Sequence, residues 1–126
     1  MCNPISAVLT KESVYFGDTD SHEAILEQHR LHEGTGLRPN ILRVEVRPQR
    51  DGSWHYVVDQ DVVPVWHDHE EDEKRARGAV ERSGIGKLYA DYEAKRAALY
   101  ADSEAKCAAL YAGYKAKRHA IAEQRW

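Results

Sequence analysis

Hydrophobic and polar residues alternate along short stretches of the first half of the chain, with the period of half-buried β-strands. The clearest stretches are 41–46 and 54–59, which flank the strong hairpin signal Asp51-Gly52. The alternation predicts that one face of each strand points into a core. The residues on these two inward faces are Leu42, Val44, Val46, Trp54, Tyr56 and Val58.

Two shorter strands are predicted earlier, at 5–10 and 14–16, and a helix comes after them. The helix is expected to begin at the cluster 18–21, because Asp20 and Glu23 have the spacing of a capping box. The Glu-Gly-Thr-Gly run at 33–36 is expected to end it. The order ββαββ predicts a small α+β domain over residues 1–66, in which one helix covers an antiparallel sheet.

Residues 67–86 are predicted to form a connecting helix that ends in a glycine hinge. Acidic residues precede basic residues between 67 and 82, the order that suits the helix dipole. Gly84 and Gly86 together cost about 2 kcal/mol in a helix interior, so the helix should break there. Val65 and Trp66, just before this helix, are expected to pack against the next element of the chain.

One eleven-residue phrase is repeated three times between Leu88 and Ala120: LYADYEAKRAA, LYADSEAKCAA and LYAGYKAKRHA. Eleven residues make three helical turns, so residues 87–126 are predicted to form a long C-terminal helix with hendecad repeats. At 1.5 Å per residue this helix would be roughly 55 Å long. The sequence leaves open whether residues 67–126 form one helix or a helical hairpin.

The repeat helix would carry a continuous stripe of large apolar side chains, which must be covered by another surface. The simplest prediction is a homo-oligomer that forms through residues 87–126 in the manner of a coiled coil. Recognition of a different protein and a spacer role are the alternatives. The stripe residues predicted to bind are Leu88, Tyr92, Leu99, Leu110 and Tyr114.

Composition and charge argue against several functional classes. The formal net charge is −3, and no basic face is visible, so nucleic acid is not an expected partner. No run of about eighteen apolar residues and no signal-peptide pattern occurs, so no membrane association is predicted. Cys2 and Cys107 are far apart in the sequence, which fits a reducing cytoplasm better than a disulfide framework.

Cys2 is the main candidate for catalysis. Removal of Met1 would make Cys2 the N-terminal residue, whose α-amine could serve as the base for its own thiolate. The opening Met-Cys-Asn-Pro resembles the Met-Cys-Gly opening of glutamine amidotransferase domains, which are much larger. An amidohydrolase is therefore one alternative, and a small buried cysteine is the simpler interpretation. Whether the protein is an enzyme stays open, with a non-catalytic protein favoured.

Histidine and aromatic residues suggest a third class of function, a small-ligand or metal-binding protein. His67 and His69 could contribute to a metal site, although no zinc-site spacing supports this and a polar helix N-terminus is the simpler interpretation. Trp54, Tyr56 and Trp66 could line a ligand groove or could be core residues. No cofactor is predicted.

The first 66 residues resemble a set of small phage-encoded proteins in which a short N-terminal domain precedes variable, often repetitive C-terminal segments. The resemblance lies in MCNPISAVLT, DTDSHEAIL, RVEVRP, and WHYVVDQD with VPVW after it. It implies a phage or prophage accessory protein in the cytoplasm of a bacterial host, and it implies no catalytic residues. The sequence thus predicts a non-catalytic protein that binds a host or phage protein, with inhibition of a host process as one outcome.

Overall fold

The computed structural model describes residues 4–49, 53–99 and 104–126. In these ranges the chain forms, in order, β1 (Ile5–Leu9), β2 (Val14–Tyr15), α1 (His22–His29), β3 (Leu42–Pro48), β4 (Trp54–Val58), α2 (His69–Ser83), α3 (Ile85–Leu99) and α4 (Glu104–Ala122). The predicted α+β class with an antiparallel sheet is confirmed.

The four strands form one antiparallel sheet in the order β2-β1-β3-β4. The register places Val46 opposite both Ile5 and Tyr56, so the inward side chains of neighbouring strands lie together. The predicted inward faces of β3 and β4 are confirmed, because these side chains belong to the main hydrophobic core. The strand residues buried in this core are Ile5, Ala7, Leu9, Val14, Leu42, Val44, Val46 and Tyr56.

Helix α1 covers part of the opposite face of the sheet, where Ile25 and Leu26 pack against Val8 and Ile41. Its predicted ends are corrected by the structure. Ser21, not Asp20, caps the helix by accepting a hydrogen bond from the Ala24 backbone. The helix ends at His29, before the predicted glycine run, because Arg30 adopts a left-handed conformation with φ of 53°.

Helix α2 is part of the main core. Its Ala76, Ala79 and Val80 are buried against the sheet, together with Ile85 at the start of α3. Asp68 caps α2, so the helix begins two residues after the predicted start. The core therefore includes side chains from both sides of the domain boundary predicted at residue 66.

The break predicted between the two glycines is present, because α2 ends at Ser83 and α3 begins at Ile85. Gly84 ends α2 in the left-handed region with φ of 76°. Gly86 is buried against the Trp54 ring, and a Cβ atom there would lie 2.8 Å from Trp54 Cζ2. The predicted hinge is thus a closely packed corner that holds the start of α3 against β4.

The single long C-terminal helix is contradicted by the structure, because α3 and α4 lie side by side as a helical hairpin. The ring centroids of Tyr92 and Tyr114 are 4.3 Å apart and the rings are stacked. In one continuous helix these residues would be about 33 Å apart. The apolar stripe of the repeat thus finds its partner within the same chain, a contact that favours the hairpin over an extended helix.

The C-terminus returns to the sheet. Arg125 forms a β-bridge with Tyr15, and the backbone N–H of Trp126 donates to the carbonyl of Val14 at 2.7 Å. This contact covers the β2 edge. At the other edge, β4 has no hydrogen-bonded neighbour on its outer side among the described strands.

Candidate functional site

Exposed apolar side chains are concentrated in the loop after β4. We call residues 61–65 (Asp-Val-Val-Pro-Val) the valine loop. Val65 is fully exposed, and Val62 and Val63 are 41% and 39% exposed. Scattered single apolar residues are ordinary on protein surfaces, but three in four consecutive positions are not. The prediction that Val65 packs against the next element of the chain is wrong.

The first end of the valine loop is held by Gln60. Its Nε2 donates to the carbonyls of Ile41 at 2.9 Å and Val62 at 2.7 Å. Its Oε1 accepts from the backbone and guanidinium of Arg43, at 3.1 and 3.3 Å. The side-chain amide of Gln60 therefore bonds backbone groups at the start of β3, as a neighbouring strand would, and it fixes the point at which the loop leaves the sheet.

The second end of the valine loop is held by Pro64 and Trp66. Pro64 is buried, and its carbonyl accepts from the His67 N–H at 3.0 Å. The Trp66 ring is half-buried, with the guanidinium carbon of Arg75 located 5.7 Å from its centroid. Because both ends are held, the three valines cannot collapse onto the core without breaking these contacts.

Asp72 organises the segment after the loop. Its buried carboxylate accepts from His67 Nδ1 at 2.6 Å, from the Asp68 N–H at 3.1 Å and from Arg75 Nη2 at 2.9 Å. Burial raises the pKa of Asp72, but the hydrogen bonds from His67 and Arg75 outweigh burial and hold the pKa below its ordinary value. Arg75 also donates to the Thr10 carbonyl at 3.0 Å, which ties α2 to the end of β1.

A cleft of about 330 Å³ lies beside the valine loop. One wall is the loop between α1 and β3, and the other contains Arg43, Gln60, Asp61 and Val62. Leu37, in the loop that forms the first wall, is 87% exposed. The valine loop is thus an apolar surface, and the cleft beside it is a recess lined mainly by polar residues.

The charges around this surface are mainly negative. Asp59, Asp61 and Asp68 are exposed before, within and after the valine loop. The Arg43 guanidinium in the cleft is 3.3 Å from Glu33 Oε1, so its charge is compensated. The surface therefore favours a ligand that combines apolar groups with positive charge.

The three aromatic residues predicted to bind lie in or against the core. Tyr56 is only 6% exposed, and its hydroxyl is buried without a hydrogen-bond partner in the described part of the chain. Burial, with smaller contributions from Asp72 and Glu73, raises the pKa of the Tyr56 hydroxyl far above its ordinary value. Trp54 packs on Gly86 and Trp66 on Arg75. Packing in or against the core therefore explains Trp54, Tyr56 and Trp66.

The two histidines proposed as metal ligands lie close together, with ring centroids 6.1 Å apart. His67 Nδ1 is already engaged by Asp72, and His69 lies 3.9 Å from Glu73. Within residues 4–49, 53–99 and 104–126, no group of three or more His, Cys, Asp or Glu is arranged to hold a metal ion. These histidines instead order the start of α2.

Cys2 lies outside the described residues, so its proposed role as a nucleophile stays a prediction. Of the five stripe residues, the side chain of Leu99 also lies outside the described part. The other four line a groove of about 250 Å³ between α3 and α4. They are Leu88, Tyr92, Leu110 and Tyr114.

Sequence reasoning missed an ion pair that joins α4 to Asp20, a residue between β2 and α1 whose carboxylate also accepts from the Ser6 N–H of β1 at 3.0 Å. Arg118 is 3% exposed, and its two Nη atoms donate to the Asp20 carboxylate at 2.7 and 3.1 Å. Its Nε donates to the Gly17 carbonyl at 2.9 Å, and Nη1 also donates to Tyr114 Oη at 3.0 Å. Burial lowers the pKa of Arg118, but Asp20 and Tyr114 outweigh burial and raise it. The capping-box spacing of Asp20 gave no sign of this partner.

His119 should make stability depend on pH. Its Nδ1 lies 2.8 Å from Asp18 Oδ1 and its Nε2 lies 2.7 Å from Glu123 Oε1, and the hydrogen bond to Asp18 is the main cause that raises its pKa. A raised pKa means that the folded state binds the proton more tightly than the unfolded state does. The stabilisation that protonated His119 gives to the fold is therefore complete below about pH 6.5. This stabilisation should be lost as pH rises through the pKa of His119 in the folded protein.

Urea unfolding at intervals from pH 5.5 to 9 tests this expectation. The stability of the wild-type protein should decline over the upper part of this range more steeply than that of His119→Gln. The difference between the two curves isolates His119 from the other histidines. Two parallel curves would contradict a proton shared with Asp18.

Comparisons with known proteins do not identify the chain: no protein-family model, no curated protein and no solved structure matches it. The resemblance of residues 1–66 to phage-encoded proteins stays a prediction. Among the described residues, no helix has the length and apolar character needed to cross a bilayer.

Proposed function

We propose that this protein is a non-catalytic binding protein that contacts a protein partner through the valine loop. The observation that carries the proposal is the exposure of three valines on a loop that is held at both ends. Gln60 hydrogen-bonds the first end to the residue before β3, and the Pro64 carbonyl accepts from the His67 N–H at the second end. Exposed apolar groups are unfavourable in water, and a partner that covers them gains about 25 cal/mol for each Å² buried.

The partner segment that fits this surface is apolar and is flanked by lysine or arginine. Its apolar side chains would cover Val62, Val63 and Val65, and its polar side chains would enter the neighbouring cleft. Its basic side chains would lie near Asp59 and Asp61, which favours association at low ionic strength. The outer edge of β4, which has no neighbour among the described strands, leads directly into the loop, and an extended segment could pair with it.

The identity of the partner is part of the proposal. The resemblance of the N-terminal residues to phage-encoded proteins is the ground for proposing a host or phage protein in the bacterial cytoplasm. A bound host protein could be inhibited simply because the valine loop covers its apolar segment.

Replacement of all three valines by serine tests the valine loop. The variant Val62→Ser/Val63→Ser/Val65→Ser should bind its partner at least about ten-fold more weakly, since each valine contributes on the order of 1 kcal/mol of apolar burial. Wild-type and variant proteins are used to capture partners from bacterial lysate, and the captured proteins are quantified by mass spectrometry.

The matched control is Ala108→Ser/Ala112→Ser/Ala116→Ser, which changes three exposed positions of α4. We expect at least one partner to be captured by the wild-type and control proteins and not by the valine-loop variant. Equal capture by all three proteins, each shown to be folded by circular dichroism, would contradict the proposal.

We also propose that the protein self-associates through residues 87–126. The support is the eleven-residue repeat, which runs through both helices of the hairpin. Sedimentation velocity of the full chain over a range of concentrations is the suitable test. A truncation at residue 86 is not suitable, because it would remove Arg118 and Trp126 from their contacts with the sheet.

A further inference from the structure

The groove between α3 and α4 is lined by matching positions of the first and third copies of the repeat. The first, fifth and eighth residues of each copy contribute to it. They are Leu88, Tyr92 and Lys95 from α3, and Leu110, Tyr114 and Lys117 from α4. The hairpin therefore turns a linear repeat into one recess, to which each helix contributes an apolar, an aromatic and a basic side chain.

Two tyrosine rings form the aromatic part of the groove. The Tyr92 and Tyr114 rings are stacked at 4.3 Å with an interplanar angle of 20°, and both residues are half-buried. Tyr114 is held further because its Oη accepts from Arg118 Nη1 at 3.0 Å. The groove volume of about 250 Å³ is slightly below the range of drug-sized ligand pockets, so it suits a molecule of one or two rings.

The groove carries an excess of positive charge. Lys95 and Lys117 line it, and neither ammonium group forms an ion pair with a carboxylate in the described part of the chain. Among the described residues that line the groove, Asp91 is the one with a carboxylate. Two ammonium groups against one carboxylate favour an anionic ligand.

Gly113 gives the groove both its room and part of its charge. The fourth residue of the repeat is aspartate in the first two copies, at Asp91 and Asp102, and glycine in the third. Glycine is unfavourable inside a helix, so helix stability does not explain its presence in α4. At Gly113 an added Cβ would have no neighbour within 4 Å, and a second aspartate there would balance the two lysines. The glycine thus leaves an open and positively charged groove.

We propose that this groove binds a small organic anion that carries an aromatic ring. The ring would pack against Tyr92 and Tyr114, and the anionic group would lie near Lys95 and Lys117. The flexible stems of the two lysines let their ammonium groups approach the anion from both helices. The described residues that line the groove all lie between 88 and 117, so the site is independent of the valine loop.

Binding of 2-naphthoate to the full-length protein tests the proposal, with 2-naphthamide as the uncharged probe of similar shape. Backbone amide shifts are followed by nuclear magnetic resonance as each probe is added. We expect 2-naphthoate to cause saturable shifts in residues 88–95 and 109–117, with a Kd of about 1 mM or lower. The amide should bind at least about five-fold more weakly, because it lacks the charge that the lysines attract.

Two variants of Gly113 separate the charge of a new side chain from its size. Gly113→Asp should bind 2-naphthoate about three- to five-fold more weakly than Gly113→Asn, since only aspartate adds a negative charge. Both variants are expected to fold, because Asp91 occupies the same repeat position in α3. Asp91→Asn should have the opposite effect and strengthen the binding of 2-naphthoate. Equal affinities of the two Gly113 variants would contradict an anion site.

The lysines are tested with a pair of double variants that remove the same charge. Lys95→Gln/Lys117→Gln should weaken the binding of 2-naphthoate at least about ten-fold. Lys11→Gln/Lys87→Gln changes two exposed positions outside the groove and should bind within about two-fold of wild type. Equal loss in both double variants, or equal binding of the two probes, would overturn the proposal. The absence of saturable shifts with 2-naphthoate, or shifts that follow the protein concentration alone, would overturn it as well.

Discussion

Replacement of Arg118 by alanine is expected to lower the free energy of unfolding by about 3 to 5 kcal/mol, the range seen when one partner of a buried ion pair is removed. The change removes hydrogen bonds to the Gly17 carbonyl, the Asp20 carboxylate and Tyr114 Oη. Gly17 is buried, so its carbonyl is left without that donor. The Asp20 side chain is 29% exposed, which favours the lower end of the range.

Urea denaturation measures this effect, and Lys117→Ala is the matched control. Lys117 is the exposed neighbour of Arg118, so its removal should change stability by no more than about 0.5 kcal/mol. A double-mutant cycle with Asp20→Ala should show strong coupling between the two residues. A loss below about 1 kcal/mol for Arg118→Ala would mean that α4 does not depend on this ion pair for its attachment to the sheet.

Replacement of Gly86 by alanine should leave the protein about 1 to 3 kcal/mol less stable than the same replacement of Gly113. At Gly113, in the interior of α4, alanine gains about 1 kcal/mol of helix propensity, and at Gly86, in the first turn of α3, it gains no more than this. At Gly86 the new Cβ would lie 2.8 and 2.9 Å from two atoms of the Trp54 ring and 3.0 Å from Val80 Cγ1. At Gly113 it would have no neighbour within 4 Å.

The two glycine variants are compared by thermal and urea unfolding under the same conditions. Gly113→Ala should be more stable than wild type, whereas Gly86→Ala should lose its propensity gain to the contact with Trp54. Equal stabilisation by both changes would show that the start of α3 does not pack against β4 as closely as the structure has it.

Local patterns in the sequence were sufficient to predict the sheet. The alternation at 42–46 and 54–58 has the strand period, and the side chains it placed inward are those in the core. The two glycines at 84 and 86 predicted the helix break because each acts on its own backbone. Strand alternation and helix breaks depend on residues only a few positions apart, so they can be read from a single sequence.

Contacts between distant parts of the chain could not be predicted in this way. Asp20 has the spacing of a helix cap, but its partner Arg118 is 98 residues away. The connection between α3 and α4 contains no glycine or proline, so the repeat indicated only a helix. Val65 belongs to a residue type that is usually buried, and only the structure shows that Gln60, Pro64 and Trp66 hold the loop outward.

The fold and the proposed binding surface are connected through α2. Asp72 and Arg75 tie this helix to β1, and the same Arg75 holds Trp66 at the end of the valine loop. The exposed valines are therefore presented by a fixed frame. A preorganised loop loses little conformational entropy when a partner binds, which favours affinity for a given contact area.

A photo-crosslinking residue at position 65 tests the central claim most directly. The full-length protein carrying benzoylphenylalanine at Val65 is irradiated in bacterial lysate, in parallel with protein carrying the same residue at Ala112, an exposed position of α4. We expect position 65 to form a covalent adduct with a defined protein, through a peptide that is apolar and flanked by lysine or arginine. Position 112 should not form that adduct. Equal yields of the same adducts at both positions, or adducts at position 112 alone, would contradict the assignment of the valine loop as the binding surface.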